Sequence, residues 1–305
     1  MKIEKEARAT LTAVELDKGD ELVFRLRDGS VRHIVLESTG SGVQSTTLTD
    51  LKKPERGAKS VFRCHCCLRM DGVRVELARW FGNQLSFNPP WELFGIRLWF
   101  DGTQDLFDYM QEDHGPCKPR RHARFAVQDA TQRICPVLLH PWCPLPEGGI
   151  RIEDCYDGSD CWMGPYFGAD AHGGLDINHP AGTPLWTPFA IDEHEMYDRV
   201  EADANNNRWR GMHQWPDGST WILQTAHVIR LLVPENEPIA AGTQYAEGAG
   251  VHIGSHEHSH FVFKILEPGA QPGEEILLDP YILFRQMYED RRIAMKPPHQ
   301  PRCLS

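Results

Sequence analysis

The stretch HEHSHFVF, His256 to Phe263, admits two readings that build different folds around one metal. On a helix it fits H-E-x-x-H, with His256 and His260 one turn apart and Glu257 as the base of a metallopeptidase. On a strand it is H-x-H. Side chains then alternate between faces, so His256, His258 and His260 share one face and Glu257 turns to the other. The residues that follow choose between the two. In FVFKIL, Phe261, Phe263 and Ile265 fall on one side and Val262 and Lys264 on the other, and the β-branched and aromatic content suits a strand. Gly254, just upstream, weakens a helix. A helix could still run about three turns before Pro268 ends it, but beyond His260 it would be apolar around most of its circumference. The strand reading buries the phenylalanines and gathers the histidines on the opposite face, where a divalent cation explains them.

Histidine is concentrated in this half of the chain: nine of the 15 lie between His172 and His260. The partner cluster is HGGLDINHPAGTP. Asp176 stands between Leu175 and Ile177, so an alternating strand buries the two aliphatics and presents the carboxylate on the other face. Gly173 and Gly174 let the backbone turn closely enough to bring His172 to the same centre. His172, Asp176 and one histidine of the later strand make three protein ligands for Zn²⁺ and leave a fourth tetrahedral position for water, as a catalytic zinc requires. A fourth protein ligand, for instance His258, would instead close a structural site.

Taken in order, HGGLDINHPAGTPLWTPF, TAHV and HSHFVF resemble the H-x-x-x-D, x-x-H-x and H-x-H-F motifs of the lysostaphin/LytM-type zinc endopeptidases, over positions of about 150 to 285. The resemblance implies that His172, Asp176 and His260 bind Zn²⁺ and that His227 and His258 are unligated catalytic histidines, with His256 an extra. It also implies a peptide substrate, with bacterial peptidoglycan stem or cross-link peptides as its class. Val262 stands where the family commonly has Glu, and Thr225 and Val228 replace aromatic and leucine residues. The segment DEHEMYDRVEADANNNRWRGMHQW reads as an elaborated loop. These departures keep every ligand and bear on substrate preference. Two other functions compete: a non-catalytic module of the same fold that binds zinc or wall peptide, and a cupin-like barrel built on HSH. The barrel lacks its acidic ligand, because Val262 and Phe263 occupy that region.

The expected fold is mainly β: a β-rich domain over 1–145, an antiparallel β-sheet zinc peptidase domain over 146–305, and a short C-terminal helix. ELVFRLRDGSVRHIVLE alternates around Asp28-Gly29 and Asp217-Gly218 marks a second hairpin tip. The Pro- and Gly-rich segment Cys135 to Gly149 is the candidate boundary. Asp279, as N-cap, and Pro280 open the helix YILFRQMYEDRR. At 305 residues, 41% hydrophobic and 25% charged, the chain has room for two cores and no apolar run able to cross a bilayer. A net charge of −11 opposes general affinity for nucleic acid or anionic membrane, and the basic run CKPRRHAR reads as a solvated loop. The first residues lack the apolar core of a secretory signal, which suggests a cytosolic location or a removed leader, whereas the resemblance points to the cell envelope. Among nine cysteines, Cys64, Cys66 and Cys67 form a possible structural metal cluster. Cys155 and Cys161 could close a loop, reduced thiols being the plainer reading. Lone residues have ordinary readings too: His227 as a packed core histidine, Asp176 and His179 as turn residues, and Trp186, Trp209, Trp215 and Trp221 as core or groove wall. His194, His213 and His252 have no assigned role.

Overall fold

In the computed structural model, which describes residues 1–114, 117–134, 142–145, 149–199, 207–248 and 257–289, HSHFVFKIL forms the strand His258–Leu266. The described part of the stretch therefore takes the strand reading and not the H-E-x-x-H helix. Phe261, Phe263 and Ile265 are fully buried; Phe261 packs edge-on against Trp142 at 4.9 Å and Phe263 against Trp221 at 5.1 Å. Burying each such side chain contributes about 1.5–3 kcal/mol, and a one-residue slip would carry all three to the histidine face. His252, Gly254 and His256 lie outside the described residues, as does most of the candidate boundary Cys135 to Gly149.

The chain is mainly β, with several antiparallel sheets and, among the described residues, one short α-helix. It divides into two units, Met1–Arg133 with Ser159–Gly173, and Ile134–Gly158 with Gly174–Ser305. In the first unit, one sheet orders Lys2–Glu6, Glu21–Arg25, Val31–Thr46, Ser60–Met70 and Val73–Phe81; the hairpin around Asp28-Gly29 joins its second and third members. Another orders Thr12–Leu16, Ala123–Asp129, Ile96–Thr103 and Trp91–Leu93. Ala123–Asp129 and Ile96–Thr103 are buried at every position, so both of their faces are covered. Part of the basic run CKPRRHAR departs from the solvated-loop expectation. Arg124 is buried, donating to Asp101 Oδ2 at 2.6 Å and to the Cys117 carbonyl at 2.7 Å, while Arg121 pairs with Asp20 at 2.8 Å.

The second unit is built on a six-stranded sheet. Its order is Leu175–Asn178, His258–Leu266, Thr220–Val228, Asn207–Gln214 and Glu193–Asp198, with Ile276–Leu278 pairing further along His258–Leu266. The expected elaborated loop thus contains two antiparallel strands, Asn207–Gln214 and the edge strand Glu193–Asp198, and Asp217-Gly218 turns the next hairpin. Behind the sheet, the buried Tyr245 hydroxyl accepts from Trp142 Nε1 at 3.0 Å and hydrogen-bonds Thr225 at 2.9 Å. Trp209 and Trp221 are fully buried and Trp215 nearly so, as core residues.

The C-terminal helix opens as one α-turn, Tyr281–Phe284, and continues as a π-turn, Arg285–Glu289, at the end of the described residues. Asp279 accepts from the Tyr281 N–H at 2.8 Å, as a capping residue should. Tyr281, Ile282, Leu283 and Phe284 are all buried, so this turn is embedded on every side and has no solvent face to extend. No helix among the described residues is long and apolar enough to cross a membrane.

Candidate metal centre

Leu175–Asn178 and His258–Leu266 run antiparallel with Asp176 opposite His260 and Asn178 opposite His258. Direct partners share a face. Leu175 and Ile177 are fully buried on one side, which leaves the Asp176 carboxylate facing the imidazoles: Asp176 Oδ1 lies 2.8 Å from His260 Nδ1, and Oδ2 lies 3.6 Å from His258 Nε2. Gly174 makes the approach possible. A Cβ there would stand 2.4 Å from His260 Cε1 and 2.6 Å from the Phe261 carbonyl oxygen, closer than real contacts allow.

His172 ends the short strand Asp170–His172, four residues before Asp176. Its backbone is held on both sides, by Met163 N–H to the His172 carbonyl at 2.9 Å and by His172 N–H to the Gly164 carbonyl at 3.1 Å. The ring is oriented as well, because Nδ1 lies 3.2 Å from the Cys161 carbonyl. A proton on Nδ1 donated to that carbonyl leaves Nε2 as a lone-pair donor. Ligand atoms of His172, Asp176 and His260 all lie within 4.8 Å of one another, and this is the one such group among the described residues. Two imidazoles and a carboxylate are a donor set that zinc accepts in catalytic sites. The residues present fit the ion.

His258 and His227 stand beside this set, with ring centroids 4.4 Å apart. Regular alternation would not put His227 there. Ala226 is directly opposite His260, so an ordinary strand would send His227 to the core face. Instead the pairing slips: Arg208 is opposite Ala226 and Asn207 is opposite Val228, which makes His227 the extra residue of a β-bulge. Its φ is +61°, the left-handed region that only a few per cent of non-glycine residues visit. The bulge re-aims the ring, which is buried and in contact with that of His258. Sequence reasoning missed Tyr156, whose ring lies 4.3 Å from that of His258. No spacing signal marks it, because it comes from a separate turn, Tyr156–Gly158.

Glu257 is exposed and accepts from the Ala181 N–H at 2.9 Å, a turn-stabilising role in place of a base. His179, in that same turn region, has both ring nitrogens buried without hydrogen-bond partners among the described residues. Burial, aided by the neighbouring His258, pushes its imidazole down to about 3. His194 is buried and accepts from Trp209 Nε1 at 3.2 Å, burial lowering its pKa. His213 packs against Trp215 at 4.3 Å. The cysteine cluster forms no metal group among the described residues. Cys64, Cys66 and Cys67 are free and buried, burial raises the Cys64 thiol to about 12, and Arg74 Nε donates to Cys67 Sγ at 2.9 Å. Cys155 and Cys161 are fully buried too.

No protein-family model and no curated protein matches the chain. Among solved structures, the chain is similar to the antimicrobial peptidase lysostaphin from Staphylococcus simulans, at 17% identity over 49% of this chain and 50% of that one, with a TM-score of 0.30. It therefore spans about half the length of that relative. It is also similar to a peptidase M23 from Pseudomonas aeruginosa, at 13% identity over 91% and 93% of the two chains, TM-score 0.31. A third is a zinc-containing peptidase from Vibrio cholerae, at 12% identity over 88% and 83%, TM-score 0.25. At these scores the likeness adds nothing to the geometry of the site.

Proposed function

We propose that the chain is a zinc-dependent endopeptidase that hydrolyses peptide bonds, with the stem or cross-link peptides of bacterial peptidoglycan as its substrate class. One observation carries this reading: three zinc-type donors, from His172, Asp176 and His260, gather within 4.8 Å, while a second pair of imidazoles, His227 and His258, lies alongside. The substrate class rests on the resemblance of the three ordered motifs to the lysostaphin/LytM-type endopeptidases. The peptidase domain is assigned to 146–305, with 1–145 as a separate β-rich domain.

Bound zinc would supply Lewis-acid activation of a water and of a peptide carbonyl near neutral pH. His172, Asp176 and His260 would hold it. The Cys161 carbonyl keeps the proton of His172 on Nδ1. His258 and His227 take the general acid–base role: one accepts the proton of the attacking water while the other hydrogen-bonds the oxygen on which negative charge develops. The test is release of new amino termini from purified peptidoglycan. Zinc-loaded wild type should release them, and His258→Ala, still carrying zinc, should not.

A second reading is favoured by one distance. His258 Nε2 lies 3.6 Å from Asp176 Oδ2 and His258 is only 4% exposed, so His258 as a fourth donor would close the set into a structural site of a zinc- or peptide-binding module. Full zinc occupancy with no hydrolysis of any wall fraction would select this alternative.

A further inference from the structure

We infer that Asn207 is a positioning residue for His227, acting through the β-bulge at the end of Thr220–Val228. This rests on the peptidase reading, in which His227 belongs to the catalytic machinery.

Two constraints define the bulge. Downstream of His227, Asn207 is the Cα partner of Val228, and its side-chain Nδ2 donates to the Val228 carbonyl at 3.0 Å. Upstream, Ala226 is locked between Arg208 and His260. The extra residue between these two fixed points must take up the whole excess of chain, and it does so at φ +61°. A histidine leaves the left-handed region readily unless neighbouring structure holds it there. The backbone ladder alone could pair His227 in regular register, which would swing the ring to the core face, away from His258. The side-chain clasp of Asn207 resists that relaxation, because the regular register would displace the Val228 carbonyl from its donor. An amide side chain suits this role, since it donates while uncharged, at every pH where the protein folds.

The experiment compares wild type, Asn207→Ala and Asn207→Asp by zinc content, steady-state hydrolysis of peptidoglycan fragments, and crystal structure. Asp keeps the shape of Asn and removes the donor. Both variants should retain one zinc and an unchanged KM, with kcat at least tenfold lower. Their structures should show residue 227 at negative φ and its ring turned away from that of His258. Asn207→Ser, which keeps a shorter donor, should recover part of kcat and serves as the test if the other two fail to fold. A bulge and a kcat that survive in Asn207→Ala would overturn the assignment, as would a loss confined to Ala, which would mean packing rather than donation. If zinc-loaded wild type is itself inactive, the peptidase reading fails while the φ of residue 227 in the variants still decides the clasp.

Discussion

Asp176 Oδ1 and His260 Nδ1 stand 2.8 Å apart on directly opposed positions of antiparallel strands, although 84 residues separate them in the chain. This pair defines the face on which the candidate centre is built, and most expected consequences of mutation follow from what holds it in place.

Gly174 is the most exacting support. Gly174→Ala would drive a methyl group to 2.4 Å from His260 and 2.6 Å from a backbone oxygen, and the backbone cannot yield as a flexible side chain would. Overpacking of this kind costs about 1–3 kcal/mol. Denaturant titration should show that loss, and zinc content should fall with it.

The two histidine groups should separate cleanly. His227→Ala and His258→Ala should keep zinc at one per chain and lose about 10²–10⁴-fold in kcat, the range of a general acid–base contribution. Parallel metal analysis and turnover of the purified variants measure both. Loss of zinc in His258→Ala would move His258 into the ligand set.

Glu257 should be dispensable. It caps an exposed turn, and one such hydrogen bond contributes about 0.5–1.5 kcal/mol net. Glu257→Gln should retain activity within about twofold in the same peptidoglycan assay. An inactive variant would restore the helical H-E-x-x-H chemistry.

His179 predicts a pH dependence of stability. Its imidazole is held at about 3 in the fold against 6.5 when free, so between those values the unfolded chain binds the extra proton. The contribution is complete above pH 6.5 and is lost as pH falls from 6.5 toward 3, with a slope of up to about 1.4 kcal/mol per pH unit. Urea unfolding of metal-free protein from pH 7 to pH 5 should be steeper for wild type than for His179→Leu. Parallel curves would exclude His179 as the group responsible.

The main features legible in sequence were those fixed by alternation. FVFKIL revealed its strand because Phe261, Phe263 and Ile265 share one face, and LDIN revealed the other because Leu175 and Ile177 flank Asp176. Asp176 and the histidine face of the later strand then follow from which face remains, whereas the choice of His260 over His258, in a set with His172, came from the resemblance of the three ordered motifs. What alternation could not supply came from breaks in it or from distant turns. The bulge that redirects His227 depends on a register slip against Asn207, and Tyr156 reaches His258 from a turn about a hundred residues earlier in the chain. Nor was the change from α- to π-helical winding at Arg285 visible. Asp279 and Pro280 do open the helix as their chemistry suggests, but burial of every side of Tyr281–Phe284 is a tertiary property.

The central claim is tested most directly by zinc analysis of the purified full chain beside Asp176→Ala. One zinc per wild-type chain and almost none in the variant is the predicted result. A wild type that stays metal-free in excess zinc, or a variant that binds it as well as wild type does, would contradict the account.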